Sequence, residues 1–300
     1  MIVRIGIIVL GFVGIISPYN AAAGYNPVSR PPQLRSAAFM VQDLVTGEYL
    51  LSKRAEIPMP IASITKLMTA MVVLDARLNM EESITIEEQD KDTLRHSRSH
   101  LPVGASLSRR EALFLALMAS ENRAAHALGR TFPGGVGALV RAMNEKARSI
   151  ALKETHFVDP TGLSDENVSS AQELGRLVAA AAHYSQICEF TTQPETTLLL
   201  GRKKVRFLNT NPLVRNRRWQ ITLSKTGYIE EGGRCLVMQT HMAQRKILIV
   251  LLNSSGKNTR VADAGRIKQW MENAENNQKK AKKDARSHRA STAGRRPVRS

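Results

Sequence analysis

Ser63 and Lys66, within Ala62-Ser63-Ile64-Thr65-Lys66-Leu67-Met68, stand at a spacing that puts both on one face of a helix. The Lys66 amine can then fold back toward the Ser63 hydroxyl. An alkyl hydroxyl is inert at neutral pH until a base takes its proton, and an amine serves as that base only if its own pKa is pulled far down. Burial does this, and the apolar run through Ile64, Leu67, Met68, Met71, Val72 and Val73 puts the helix in the core. A helix starting near Ser63 adds its positive end to the forces against a protonated Lys66. Alone, Ser-x-x-Lys is a pattern that chance supplies often, and an ordinary surface helix can carry it. Two more short patterns follow in chain order, Ser120-Glu121-Asn122 and Lys225-Thr226-Gly227. Ser120 offers a second hydroxyl, and Asn122 an amide that both donates and accepts. Lys225 and Thr226 present a positive charge and a hydroxyl, while Gly227 lets an extended ligand backbone lie close to a strand.

These groups must be brought together by the elements that carry them. Residues 37–41 and 48–51 read as strands of a hairpin turned at 43–47, and Pro58 and Pro60 then deliver the chain to a helix start near Ala62. After Asn79 a polar stretch to His100 has no clear period and reads as a surface excursion; His96 and His100 lack the Glu of a His-Glu-x-x-His zinc site. Capping boxes at Ser108-Glu111 and Ser170-Glu173, a helix end at Gly129 and helical spacing of Val136, Leu139, Met143 and Ala147 make the middle of the chain helical. Short strand-like runs follow at 196–200, 205–209, 221–225, 235–240 and 247–252, then an amphipathic helix carrying Val261, Ala264, Ile267 and Met271 to about Asn276. The fold class is therefore α/β, of the α+β sandwich kind: one antiparallel sheet flanked by helices, with a helical lobe and a cleft between lobe and sheet.

With 300 residues, 43% of them hydrophobic, the chain can bury one sizeable core. Residues 1–23 read as an export signal: Arg4, an apolar run over 5–16 too short to span a bilayer, and the small Ala21-Ala22-Ala23. Residues 24–35 read as an extended leader, 36–276 as the catalytic domain and 277–300 as a disordered basic tail. Much of the formal charge of +17 lies in that tail, where Lys279, Lys280, Lys282, Lys283, Arg286, Arg289, Arg295, Arg296 and Arg299 stand against the single acidic Asp284. Outside the cytoplasm its partner would be an anionic envelope polymer or membrane surface, or none; no nucleic acid is expected. Cys188 and Cys235 allow at most one disulfide or two separate thiols, and their spacing gives no metal pattern.

Ser63-Ile-Thr-Lys66, Ser120-Glu-Asn122 and Lys225-Thr-Gly227, in this order, resemble the motif set of penicillin-binding proteins and serine β-lactamases. The resemblance extends over residues 36–272. Phe157-Val-Asp-Pro-Thr-Gly-Leu163 and Asn209-Thr-Asn-Pro-Leu213 are similar to stretches of the low-molecular-weight D-alanyl-D-alanine peptidases, nearest to endopeptidases of the penicillin-binding protein 7 type. It implies a β-lactamase/transpeptidase-like fold, no cofactor and no metal, and a periplasmic enzyme acting on peptidoglycan peptide crosslinks with β-lactam antibiotics as inhibitors. Ser63 would form an acyl-enzyme, Lys66 take its proton and Ser120 relay it. Asn122, Lys225, Thr226, Gly227 and Tyr228 would bind substrate, the Ser63 and Tyr228 amides would meet the oxyanion, and Arg260 would add a carboxylate contact. Glu-x-x-Leu-Asn, which serves deacylation in class A β-lactamases, is missing after Asn122; Glu173 is its nearest counterpart and falls in a predicted helix. Slow release of penicillin is the expectation. Ser120-Glu-Asn in place of Ser-Gly-Asn, and only a basic tail after the core, favour endopeptidase over carboxypeptidase. A non-catalytic peptidoglycan-binding module is the alternative of another class, and three intact motifs oppose it.

Overall fold

The computed structural model describes residues 30–293. The expected export signal, the first part of the leader and the last seven positions of the tail lie outside the described residues. Two strands, β1 (Ser36–Asp43) and β2 (Tyr49–Lys53), form the first hairpin, and β3 (Gln220–Ile229), β4 (Gly233–Met242) and β5 (Arg245–Ser254) form a late meander. They pair as one antiparallel sheet in the order β2-β1-β5-β4-β3, with Val41 opposite Ile249 and Val250 opposite Val237. This is the sheet that the strand pattern predicts.

Alternation along a strand sorts side chains onto two faces, and in β5 both faces are covered. Leu248, Val250 and Leu252 join the core under the helical lobe, whereas Ile247, Ile249 and Leu251 pack on Ala264, Ile267, Trp270 and Met271 of the last helix, α7. All six are fully buried, and each contributes on the order of 2 kcal/mol. The helices before it are α1 (Lys66–Asp75), α2 (Arg109–Met118), α3 (Asn122–Arg130), α4 (Gly135–Ser149), α5 (Ala171–Ala181) and α6 (Ser185–Thr192); α7 spans Thr259–Ala293. Helix α1 is buried from residue 66 to 73, apolar there except for Lys66 and Thr69, and runs through the middle of the lobe.

Several expectations change. The α7 helix does not stop near Asn276 but continues to Ala293, because 277–293 holds neither Gly nor Pro and is rich in Ala, Lys, Gln and Arg, with Lys279 paired to Glu275 one turn back. Gly129 lies inside the last turn of α3 rather than capping it. A Cβ there would sit 3.1 Å from Pro160, so close packing explains it. The Ser108 capping box forms, but at Ser170 only the serine half does, since Glu173 instead accepts Lys153 N, Glu154 N and Thr155 Oγ1. Helix α6 had no counterpart among the sequence expectations. The runs at Glu195–Leu200 and Lys203–Leu208 pair with each other outside the main sheet. Both cysteines are free thiols.

Ser63 lies on a 3-10 turn, Ala62–Thr65, that leads into α1. Two backbones press on this turn. On the sheet side, a Cβ at Gly227 would fall 2.7 Å from the Ile61 carbonyl; on the lobe side, one at Gly162 would collide with the Ala62 carbonyl. Gly162 also has φ +77°. Gly162→Ala therefore combines conformational strain with overlap and should destabilise the protein by about 3 kcal/mol or more, whereas Gly47→Ala, at φ +76° with nothing within 4 Å, should cost only about 1 kcal/mol. Urea unfolding of the two variants measures the difference.

Candidate active site

The first turn of α1 points the Lys66 side chain into the junction of turn, lobe and loop. Its Nζ lies 2.9 Å from Ser63 Oγ, 2.7 Å from Asn122 Oδ1 and 2.6 Å from the Thr161 carbonyl. Lys66 is 1% exposed, and burial is the main force that lowers its pKa to about 7, opposed by the negative charges of Asp159, Glu121 and Asp92. A neutral amine has two N–H groups and one lone pair. Asn122 Oδ1 and the Thr161 carbonyl can only accept, so they take the two protons and the lone pair is left facing the Ser63 hydroxyl.

Asp159 shapes the loop that supplies the Thr161 carbonyl. Its carboxylate accepts from Thr161 N, Thr161 Oγ1, Gly162 N, Ser164 N and Asn167 Nδ2. Burial pushes this carboxyl up, but those hydrogen bonds outweigh it and its pKa is lowered. A second serine–lysine pair faces the first: Lys225 Nζ donates to Ser120 Oγ at 2.9 Å and to the Thr226 carbonyl at 3.1 Å. Burial, then the charges of Lys66 and Arg260, hold the Lys225 pKa well below its ordinary value. Ser120 sits at φ +61°, a strained setting for a residue with a side chain, between α2 and α3. Asn122 opens α3.

Strand β3 forms the opposite wall as the open edge of the sheet. Thr226 Oγ1 donates to Thr210 Oγ1 at 2.7 Å, and Asn211 Nδ2 donates to Ser224 Oγ, so the Asn-Thr-Asn-Pro segment braces the strand. Arg260 Nη1 donates to the carbonyls of Gly227 and Cys235, at 2.7 and 3.2 Å, tying α7 to the strand; burial and then Arg234 lower its pKa to about 10. Tyr228 is 52% exposed, and the Arg234 guanidinium lies 4.2 Å from its ring centre. Between the walls a cleft of about 440 Å³ is lined by Ser63, Asn122, Gly162, Leu163 and Tyr228 together with Arg95 and Ser97.

Of the residues singled out from the sequence, Ser63, Asn122 and Tyr228 line this cleft, Lys66 reaches Ser63 and Asn122, Ser120 reaches Lys225, and Arg260 meets the carbonyls of Gly227 and Cys235. Missed were Ser97, which accepts from Asn122 Nδ2 at 2.8 Å, Arg95, which donates to the Leu163 carbonyl at 2.5 Å and pairs with Glu231 at 2.9 Å, and Thr210. The aperiodic stretch after Asn79 lies largely at the surface, as expected, and its Leu94, Arg95 and Ser97 also line the cleft. Its signal was Asp92, a side chain that gathers the backbone N–H groups of Leu94, Arg95 and Ser97 into a fixed turn. Glu121 accepts Ser99 Oγ and His100 N and holds the far end down.

A hydroxyl facing the lone pair of a buried lysine, with an open strand edge alongside, is the equipment of a hydrolase that works through a serine ester on an extended peptide. Residues 26–256 match the profile of the family described as D-alanyl-D-alanine carboxypeptidase. A D-alanyl-D-alanine endopeptidase of Pseudomonas aeruginosa is 44% identical over 242 residues, 80% of this chain and 78% of that one, and one of Escherichia coli is 40% identical over 243 residues with the same coverage. Among solved structures a Streptomyces DD-transpeptidase, 25% identical, superposes with a TM-score of 0.75 over 81% of this chain and 99% of that one. The chain belongs to the D-alanyl-D-alanine carboxypeptidase family of serine peptidases.

With the Lys66 pKa near 7, protonation removes the lone pair as pH falls. Acylation of Ser63 should therefore rise with pH through about 7 and at pH 6 stand at roughly a tenth of its plateau. The rate of covalent labelling by a fluorescent penicillin, followed against pH, checks this. Lys66→Arg keeps the charge but cannot give up its proton, so it should not label at any of these pH values.

Proposed function

We propose that this protein is a serine D-alanyl-D-alanine endopeptidase that hydrolyses peptide crosslinks of peptidoglycan in the periplasm. The observation that carries the site assignment is the 2.9 Å approach of Ser63 Oγ to an amine whose other two neighbours only accept. Ser63 Oγ attacks the carbonyl carbon of the D-Ala peptide bond and passes its proton to Lys66. The N–H groups of Ser63 and Tyr228 face the oxyanion that forms. The crosslink C–N bond then breaks, its amine leaves with a proton relayed by Ser120, and a D-alanyl ester remains on Ser63. Water attacks this ester, gives the free carboxylate and restores the serine. Asn122, Lys225, Thr226 and Gly227 hold the substrate against the β3 edge.

Support for cleavage within a crosslink comes from the two relatives at 44% and 40% identity, both named D-alanyl-D-alanine endopeptidase. Carboxypeptidase action, which the family description carries, is the second reading. The carboxylate of Glu173 is occupied by the backbone at 153–154 and by Thr155, which supports slow hydrolysis of a penicilloyl ester. Lys279, Lys280, Lys282 and Lys283 are exposed on α7, and we assign to this stretch a salt-sensitive attraction to an anionic envelope polymer. Among the described residues no helix is long and apolar enough to cross a membrane.

Digestion of purified crosslinked muropeptide dimers should release monomers, and Ser63→Ala should abolish both this and penicillin labelling. Release of free D-Ala alone would establish the carboxypeptidase, and a folded protein that neither labels nor cleaves would establish the binding module. Replacing the four lysines by Gln should weaken co-sedimentation with isolated cell walls at low salt while leaving labelling unchanged.

A further inference from the structure

The cleft continues past the reacting serine along the edge of β3. Beyond Ser63 it is lined by Tyr228, Ile229 and Glu230 on the sheet side and by Arg95 on the lobe side. Which half of a substrate lies there follows from Ser120. This hydroxyl, which serves the leaving amine, is held 2.9 Å from Lys225 Nζ, and Lys225 precedes Tyr228 on the strand. The leaving half therefore lies toward Lys225. The acyl half, the stem peptide whose D-Ala becomes esterified, runs the other way, toward Glu230.

Arg95 is the one cation among the described residues that line this cleft. Other cations nearby are engaged elsewhere: Lys66 and Lys225 are buried beside their serines, Arg260 Nη1 donates to the Gly227 and Cys235 carbonyls, and Arg234 covers the Tyr228 ring. Arg95 is held in place at two points. Its Nε donates to the Leu163 carbonyl at 2.5 Å, and its Nη2 lies 2.9 Å from Glu231 Oε2 on the turn that follows β3. A guanidinium presents five N–H donors in a fork that matches a carboxylate, and these contacts leave part of that fork free. The Glu231 side chain is 46% exposed, and an ion pair so open to water holds weakly. A carboxylate carried in by a bound peptide can displace it.

We propose that Arg95 is a specificity-determining residue that receives a carboxylate of the stem peptide acylating Ser63, and that Glu231 is the internal competitor occupying it in the free protein. The carboxylate belongs to the side chain of the residue before the reacting D-Ala, the first of the acyl half to stand clear of Ser63 along the strand edge. The proposal rests on the reading of Ser63 as nucleophile and of Ser120 as the group facing the leaving amine.

The test compares two synthetic crosslinked peptides on the full chain, alike except that the residue before the reacting D-Ala ends in a carboxylate in one and in a carboxamide in the other. The unaltered protein should favour the carboxylate about tenfold in kcat/KM, chiefly through KM, since the contact is the same in the bound and transition states. Arg95→Gln should bring the ratio to within about twofold of one, and Arg95→Lys, which keeps the charge without the fork, should leave it at about threefold. Glu231→Gln removes the competitor and should raise the ratio roughly twofold. A merely structural ion pair would slow both peptides alike and leave the ratio where it was. If Arg95→Gln does not fold, the exposed Glu231→Gln carries the test. A ratio near one in the unaltered protein, a ratio that Arg95→Gln does not change, or a fall in Glu231→Gln would overturn the proposal. Cleavage of neither peptide by the unaltered protein would sink the endopeptidase reading along with it.

Discussion

Removing an ammonium from water costs several kcal/mol even after the protein relaxes, and Lys66 is placed where that cost becomes chemistry. Its burial is not relieved by a carboxylate in contact. Instead the amine meets one hydroxyl and two carbonyl oxygens, a shell that tolerates the neutral form and directs it. Had Asp159 touched Nζ, the proton would have stayed on the lysine at neutral pH. The acid is nearby but occupied by five donors of its own loop, so it shapes the backbone and acts on Lys66 only through its field.

Everything around this amine serves to keep three chain segments at contact distance. The Ser63 turn comes from the helical lobe, the Lys225 strand from the sheet and the Thr161 carbonyl from the loop after α4. Glycine at 162 and 227 lets the two outer backbones close on the turn, and Ala62 (φ +49°) and Ser120 (φ +61°) are held in strained conformations beside it. Such strain persists only where surrounding packing is firm. The six fully buried side chains of β5, gripped from both faces, supply that firmness on the sheet side.

A second buried lysine, Lys225, separates this site from a simple serine–base pair. Two amines that both resist charging thus lie each beside a serine. The charge of Lys66 adds to burial in lowering the Lys225 pKa. The segment over 91–100 closes the arrangement on the solvent side, and the middle residue of Ser-Glu-Asn, which touches no reacting atom, anchors it.

The sequence by itself determined the parts that depend on local spacing. The Ser63–Lys66 pair, the capping box at Ser108, the alternation in β5 and the order of hairpin, helices and meander are all set by neighbours a few positions apart, and the sheet followed from them. The absence of apolar residues at helical spacing after Asn276 points to a disordered tail, yet α7 continues to Ala293, because every residue there is compatible with a helix. Only the tertiary structure decided which groups Lys66 meets, that Ser120 serves Lys225, and that part of a polar stretch without periodicity lines the cleft. Those contacts include pairs 25 and 105 positions apart, Ser97 with Asn122 and Ser120 with Lys225. Their energies come from burial and hydrogen-bond direction, which exist only once distant segments have excluded water from the space between them.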